Sequence, residues 1–277
     1  MTDGYDPAEH YDRVTEAWSL LLGDELHYGV FEAGDEPLST ATANLTRRMI
    51  DAADLTHGLR VLDVGCGSGA PACRLAAEFG VDVVGITTSE VGVAAARERA
   101  AAAGLRGVTF VQRDGTDNRF PDSTFDRVWV LESAHLMRER ERLIAECARV
   151  LRPGGRLVLC DLIRHREIPF AEVRERRAEF LTLRVAFGDA HFEPLAFYVD
   201  AAASQGLAVD TAEDLTTATL ATFDRWRANA RAHSVEVSGA IGPAGLAAFE
   251  RSCEILEAFW RDATFGYGLL AAGKPDS

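Results

Sequence analysis

The segment Arg60-Val61-Leu62-Asp63-Val64-Gly65-Cys66-Gly67-Ser68-Gly69-Ala70-Pro71 passes from a short apolar run to three alternating glycines and then to an alanine-rich helical pattern. The run is too brief for a helix, so the segment predicts a strand, a tight turn and a helix in succession. Glycine has no Cβ, so residues 65, 67 and 69 can take positive φ and let a ligand lie against the backbone. The helix that follows presents unpaired N–H groups to the same place. The expectation is a site that binds through its main chain.

Outward from this turn, strand and helix patterns alternate. Strands are expected at 60–64, 82–87, 108–113, 126–131 and 156–161, with helices at 70–79, 89–103 and 137–151 between them. Such alternation argues a parallel sheet covered on both faces. Leu143, Cys147 and Leu151 recur every four residues as one buried stripe, while Arg138, Glu139, Arg142 and Glu146 face water. Leu151-Arg152-Pro153-Gly154-Gly155-Arg156 should stop that helix and turn into the fifth strand. Ahead of the sheet, two helices are expected at 11–22 and 39–52, flanking His27-Tyr28-Gly29-Val30-Phe31 as a cover that excludes water. After Asp161 the alternation gives way to a mostly helical stretch at 162–205. A sixth strand then opens at 206–209, helices follow at 219–236 and 243–262, and a last strand runs over 265–272. The arginines at 164, 166, 174, 176, 177 and 184 interleave with Glu167, Glu172, Glu175 and Glu179, the pattern of a solvated helix face.

Composition limits the partners. Forty-three acids against 29 bases give a formal charge of -14, which repels nucleic acid and anionic membrane surfaces. No apolar run approaches the ~18 residues of a membrane span, and the first residues are acidic, so a cytoplasmic protein is expected. The five cysteines form no C-x-x-C pair, so neither a metal site nor a disulfide frame is expected.

Two nucleotide-derived ligands compete for a glycine turn. A dinucleotide site prefers G-x-G-x-x-G with an acid about 20 residues on. Here the spacing is G-x-G-x-G, and Thr87 stands where that acid would be. Asp63-x-Gly65-x-Gly67-x-Gly69 instead resembles the first motif of the class I S-adenosylmethionine (SAM) methyltransferases. The likeness is to the small-molecule subgroup that includes rebeccamycin sugar and tocopherol methyltransferases.

That resemblance implies an α/β, Rossmann-like, seven-stranded and mostly parallel sheet with an antiparallel last strand. It adds a helical lid from the N-terminus and from the inserts after strands five and six. The corresponding division is an N-terminal cover over 1–59, a SAM-binding core over 60–161, and lid helices with the remaining strands of the same domain over 162–277. By the same resemblance, Asp63, Gly65, Cys66 and Gly67 hold the methionine part, Thr87 and Thr88 the ribose, and Asp114 with Gly115 the adenine. Glu132, at the end of strand four, completes the cofactor set. Where this subgroup often carries Gln shortly after the ribose residues, the chain has Gly92.

The implied activity is methyl transfer to a small-molecule acceptor, expected to be a hydroxyl of a secondary metabolite. A neutral His near strand four suits proton removal from such an acceptor, and His135 follows that strand, with Asp161 at the end of strand five to orient it. This pair resembles the base and partner of the sugar O-methyltransferases, which carry a second His where Leu136 stands. His27 is the reserve base, and Tyr11 and Tyr28 are expected to close over the cofactor. Phe187, His191, Phe192, Tyr198, Phe223, Trp226 and Phe265 are expected to wall the acceptor. The alternatives are C-methylation of a prenyl diphosphate or other alkene, using Arg184, Arg225 and Arg227, and a cyclase-type protein that binds SAM without transferring its methyl.

Overall fold

The computed structural model describes residues 17–276. Its elements begin with α1 (Leu38–Ala53), β1 (Arg60–Val64), α2 (Ala70–Phe79), β2 (Asp82–Thr87), α3 (Glu90–Ala102), β3 (Val108–Gln112) and β4 (Phe125–Leu131). They continue with α4 (Arg140–Val150), β5 (Leu151–Arg164), α5 (Phe170–Glu175), α6 (Arg177–Phe187) and α7 (Leu195–Ser204). The chain ends through β6 (Ala208–Asp214), α8 (Thr216–Thr219), α9 (Thr222–Ala232), α10 (Ser234–Arg261) and β7 (Phe265–Gly273). The strands form one seven-stranded sheet in the order β3-β2-β1-β4-β5-β7-β6. Six are parallel and the last is antiparallel, as the motif resemblance implies. Among the described residues no helix is long and apolar enough to cross a membrane.

Packing divides the chain into two compact units: one of residues 17–45, Leu162–Pro194 and Asp214–Tyr267, the other of Thr46–Asp161, Leu195–Glu213 and 268–276.

The second unit holds most of the sheet. From β1 the chain moves outward through β2 and β3, then returns to pair β4 on the other side of β1. The strand order therefore reverses between β1 and β4, which is where open parallel sheets bind ligands. Leu62, Val64, Val128, Val130, Leu157 and Leu159 line one face and pack with Leu143 and Cys147 of α4 and with Ala202 of α7. Each such side chain contributes about 1.5–3 kcal/mol when taken from water. Tyr198 is also here, fully buried in this core, so it does not belong to the acceptor wall expected for it. Its position on α7, one turn from Ala201 and Ala202, points it into the sheet.

The Pro-Gly-Gly segment departs from the expected turn. It lies within β5 as an irregularity, the register with β4 shifting between Phe125 and Arg127 while Gly154 takes φ 72°. Partners from the end of β7 hold it: Gly154 N donates to Lys274 O at 2.9 Å, and Lys274 N to Gly155 O at 2.8 Å. The Lys274 ammonium also donates to Ala148 O and Leu151 O, both at 2.7 Å, and so satisfies carbonyls at the end of α4.

In the first unit α10 packs on α6 and α9. The two late helices expected from the sequence are α9 and α10, and α10 breaks where Gly242 takes φ 77° ahead of Pro243, which has no N–H to continue the ladder. Three arginines of the run form ion pairs: Arg164 with Glu167 and Glu193, Arg166 with Glu172, and Arg176 with Glu179.

Candidate active site

The turn after β1 is built of left-handed residues, with φ of 80°, 52° and 78° at Gly65, Gly67 and Gly69. Two of them admit no side chain. A Cβ on Gly65 would lie 2.2 Å from Ser133 Cβ, and one on Gly69 would lie 2.7 Å from both Ala96 Cβ and the Phe110 ring. The close approach at Gly65 is held by Ser133 Oγ, which donates to Val64 O at 2.7 Å and so ties the end of β4 to the end of β1. Ser133 was not among the residues singled out from the sequence. Its signal was its place two residues after the end of strand four.

Gly69 caps α2 with backbone only, and no side chain serves the first N–H groups of that helix. Below the turn, Asp63 is 2% exposed and its Oδ2 has no hydrogen-bond partner among the described residues. Burial pushes its carboxyl up to about 7. Burial likewise pushes the Cys66 thiol up, with the Asp63 charge acting in the same direction. An uncapped helix start suits an anion and a buried acid suits a cation, so these residues fit the amino-acid end of SAM, which carries a carboxylate and an ammonium.

At the end of β2, Thr87 is half-buried and its Oγ1 accepts from Ser89 N at 3.3 Å. Thr88 is exposed, its carbonyl accepting from Gln112 Nε2 at 2.9 Å. Ser89 caps α3 through Gly92 N at 2.8 Å. A Cβ on Gly92 would meet Gly67 O at 3.1 Å, so glycine there lets the first turn of α3 close on the glycine turn. Past β3, Asp114 Oδ1 accepts from both Thr116 N and Thr116 Oγ1 at 2.8 Å, holding a single 3-10 turn, while its Oδ2 has no partner among the described residues. A Cβ on Gly115 would come within 2.6 Å of Val64.

Glu132 takes the left-handed φ of 48°, a conformation that costs a non-glycine residue about 1–2 kcal/mol. Its N–H donates to Cys160 O at 2.9 Å, which binds the turn after β4 to β5. Two residues beyond Ser133, His135 is buried at 9% exposure against Asp161, which is wholly buried. Asp161 makes two bonds to it: Oδ1 is 2.6 Å from His135 Nδ1 and Oδ2 accepts from His135 N at 3.1 Å. A carboxylate can only accept, so Nδ1 carries the hydrogen and Nε2 carries the lone pair of the neutral ring. Burial alone would lower the imidazole pKa. The charge and hydrogen bond of Asp161, with the charge of Glu132, outweigh it and raise the value above the ordinary histidine range.

The remaining predicted residues lie in the first unit. Tyr28 is buried among Phe223, Trp226, Trp260 and Tyr267, stacked on Trp260 with ring centroids 5.5 Å apart. Trp226 meets Phe187 at 6.2 Å, and its buried indole N–H has no partner among the described residues. His191 Nε2 lies 3.6 Å from Asp189 Oδ2. His27, the reserve base, has both nitrogens against acceptors, Tyr28 O at 2.8 Å and Glu25 Oε2 at 3.0 Å, so neither is left for a substrate hydroxyl. Tyr11 lies outside the described residues.

Residues 62–159 match a family model described as a methyltransferase domain. Over 267 residues the chain is 36% identical to the 27-O-demethylrifamycin SV methyltransferase of Amycolatopsis mediterranei (strain S699), with 96% of each chain covered. It is 31% identical over 279 residues to the methyltransferase GfsG of Streptomyces halstedii, covering 96% of this chain and 93% of that one. Among solved structures it is similar to the crystal structure of the (4+2)-cyclase SpnF, with a TM-score of 0.82, 29% identity, and 98% and 96% of the two chains covered.

Proposed function

This chain belongs to the class I SAM-dependent methyltransferases of the natural-product type, and from that premise we propose that it methylates a hydroxyl of a small secondary metabolite with His135 as general base. The observation that carries the reading is the 2.6 Å bond from the buried His135 Nδ1 to Asp161. It fixes the tautomer and aims the basic nitrogen away from the carboxylate.

When bound, the cofactor supplies a methyl group on a positively charged sulfur. The glycine turn, the start of α2 and Asp63 hold its amino-acid end, with Cys66 lining the turn. Thr87 and Thr88 take the ribose, and Asp114 accepts from the adenine amine through Oδ2 while Oδ1 keeps its own turn. Gly115 leaves room for the ring, and Glu132 supports the rim. As the acceptor oxygen forms its new bond, His135 Nε2 takes the hydroxyl proton and Asp161 stabilises the imidazolium. This transfer contributes about 100-fold to 10,000-fold. Acceptor recognition is assigned to Phe187, His191 and Trp226, with the wholly buried Phe223 ordering the rings alongside Tyr28 and His27, and the Trp226 N–H offered to an acceptor oxygen.

The prenyl diphosphate reading needs arginines for the diphosphate, and the three candidates are committed elsewhere. Arg225 donates to Asp35 O at 2.8 Å, Arg227 to Asp224 and Glu257 at 2.5 and 2.6 Å, and Arg184 lies 3.9 Å from Asp189. The likeness to the (4+2)-cyclase favours a second reading, in which SAM is bound and its methyl retained. Incubation with methyl-labelled SAM and a panel of hydroxyl-bearing metabolites separates them. Label on a product oxygen is expected. Label on carbon, or a cyclised product with no label, overturns the proposal.

A further inference from the structure

Asp63 is a carboxyl group in an unusual place, on β1 in the interior of the sheet. Its registered neighbours are Gly85 of β2, which has no side chain, and Trp129 of β4. Register partners on parallel strands share a face. Trp129 is buried there too, and its indole N–H has no partner among the described residues. The face thus carries an uncommitted acceptor and an uncommitted donor side by side. The titratable groups that feel Asp63 are the thiols of Cys66 on the turn and Cys73 on α2. Burial pushes both of them up, which keeps them neutral thiols. Among the described residues the cation that acts on Cys73 is Arg99 of α3, which donates to Ser68 O at 3.2 Å. Burial is what acts on the Asp63 carboxyl itself.

A lone carboxylate in such a setting is disfavoured against the neutral acid, and the arrival of a cation reverses the preference. We propose that Asp63 is neutral in the cofactor-free protein and gives up its proton to solvent when the cofactor binds, so that cofactor capture is coupled to proton release. The inference rests on the reading of the glycine turn as the SAM site. SAM brings one sulfonium, one ammonium and one carboxylate, a net charge of about +1 at neutral pH. The Asp63 O–H bond breaks, its electron pair stays on the carboxylate and the proton passes to water. No oxidant or reductant is required. Trp129 then supplies the donor that the new carboxylate needs on its own face. By linkage, affinity for SAM rises about tenfold per pH unit below the Asp63 titration and levels off above it.

Titration calorimetry of the full chain with SAM at pH 6, in two buffers of different ionisation enthalpy, reads the protons directly. The expected result is close to one proton released per site, falling toward none at pH 8.5. Asp63→Asn should lose the tenfold-per-unit rise in SAM affinity between about pH 5 and 7, below the titration of the SAM amine, and give equal heats in the two buffers at about pH 6. Difference infrared spectra of the unmutated protein give a second measure, since the protonated carboxyl band should vanish on adding SAM. Equal heats in the unmutated protein, or release that persists in Asp63→Asn, overturn the proposal and leave the cofactor site standing. Absence of any SAM binding by the unmutated protein overturns both.

Discussion

The two units carry their candidate functional residues in opposite ways. In the sheet unit the site is made of backbone turns and titratable groups, with Gly65 and Ser133 touching and His135 bonded twice by Asp161. In the helical unit it is made of rings packed on rings, four of them around Tyr28. A backbone site is governed by positions at which one added atom has no room. A ring cluster is governed by volume, which a similar side chain can restore. Substitutions in the first should therefore act on the cofactor and the chemistry, and those in the second on stability and on the acceptor.

The sharpest break of this contrast is Gly65→Ala. The new Cβ meets Ser133 at 2.2 Å with φ at 80°, so SAM binding by calorimetry should weaken by at least about 100-fold, about 3 kcal/mol. Next comes His135→Ala, which should cut turnover by about 100-fold to 10,000-fold with SAM affinity retained. Retained turnover would remove the base. Phe223→Ala, in the wholly buried ring cluster, should cost about 3–5 kcal/mol in denaturant unfolding, while Phe223→Leu recovers much of it and neither changes proton release on SAM binding.

The smallest effect is the most specific. Because Asp161 and Glu132 raise the His135 pKa, the acid limb of the rate profile should lie above the ordinary value of about 6.5, and Asp161→Asn should move it down. The same raised value adds stability that is fully present below the unfolded-state pKa and is lost as pH climbs through the folded one, so urea midpoints should fall across that window in the unmutated protein and less in Asp161→Asn. For Asp63, raised to about 7, ligand-free stability should likewise fall as pH rises from about 4 to 7. Asp63→Asn should then be the more stable protein at pH 8, by roughly 4 kcal/mol at most.

The strands were legible because a parallel sheet buried on both faces writes itself as short apolar runs between glycine-rich turns. β1 and β2 begin and end where the runs do. The Pro-Gly-Gly stretch was less legible, since its pairing depends on Lys274 and Gly155 meeting across more than a hundred residues. Tyr198 was misread for a related reason. An aromatic on a helix looks the same whether its neighbours are a ligand or a sheet, and here the neighbours are the sheet core. The packing roles of Ser133 and Gly92 were not legible, because each matters through one atom of the glycine turn, which periodicity does not bring next to them.

The chain by itself determined the alternation of strand and helix, the glycine turn and the polar residues at the strand ends, because these follow from local periodicity and from the conformations that glycine alone adopts readily. Only the tertiary structure decided that Ser133 locks that turn, that Asp161 accepts from the backbone of His135 as well as from its ring, and that Asp63 lies beside Trp129 with burial as what acts on its carboxyl among the described residues. Those relations join residues far apart in the chain, and burial, hydrogen bonding and charge act through space.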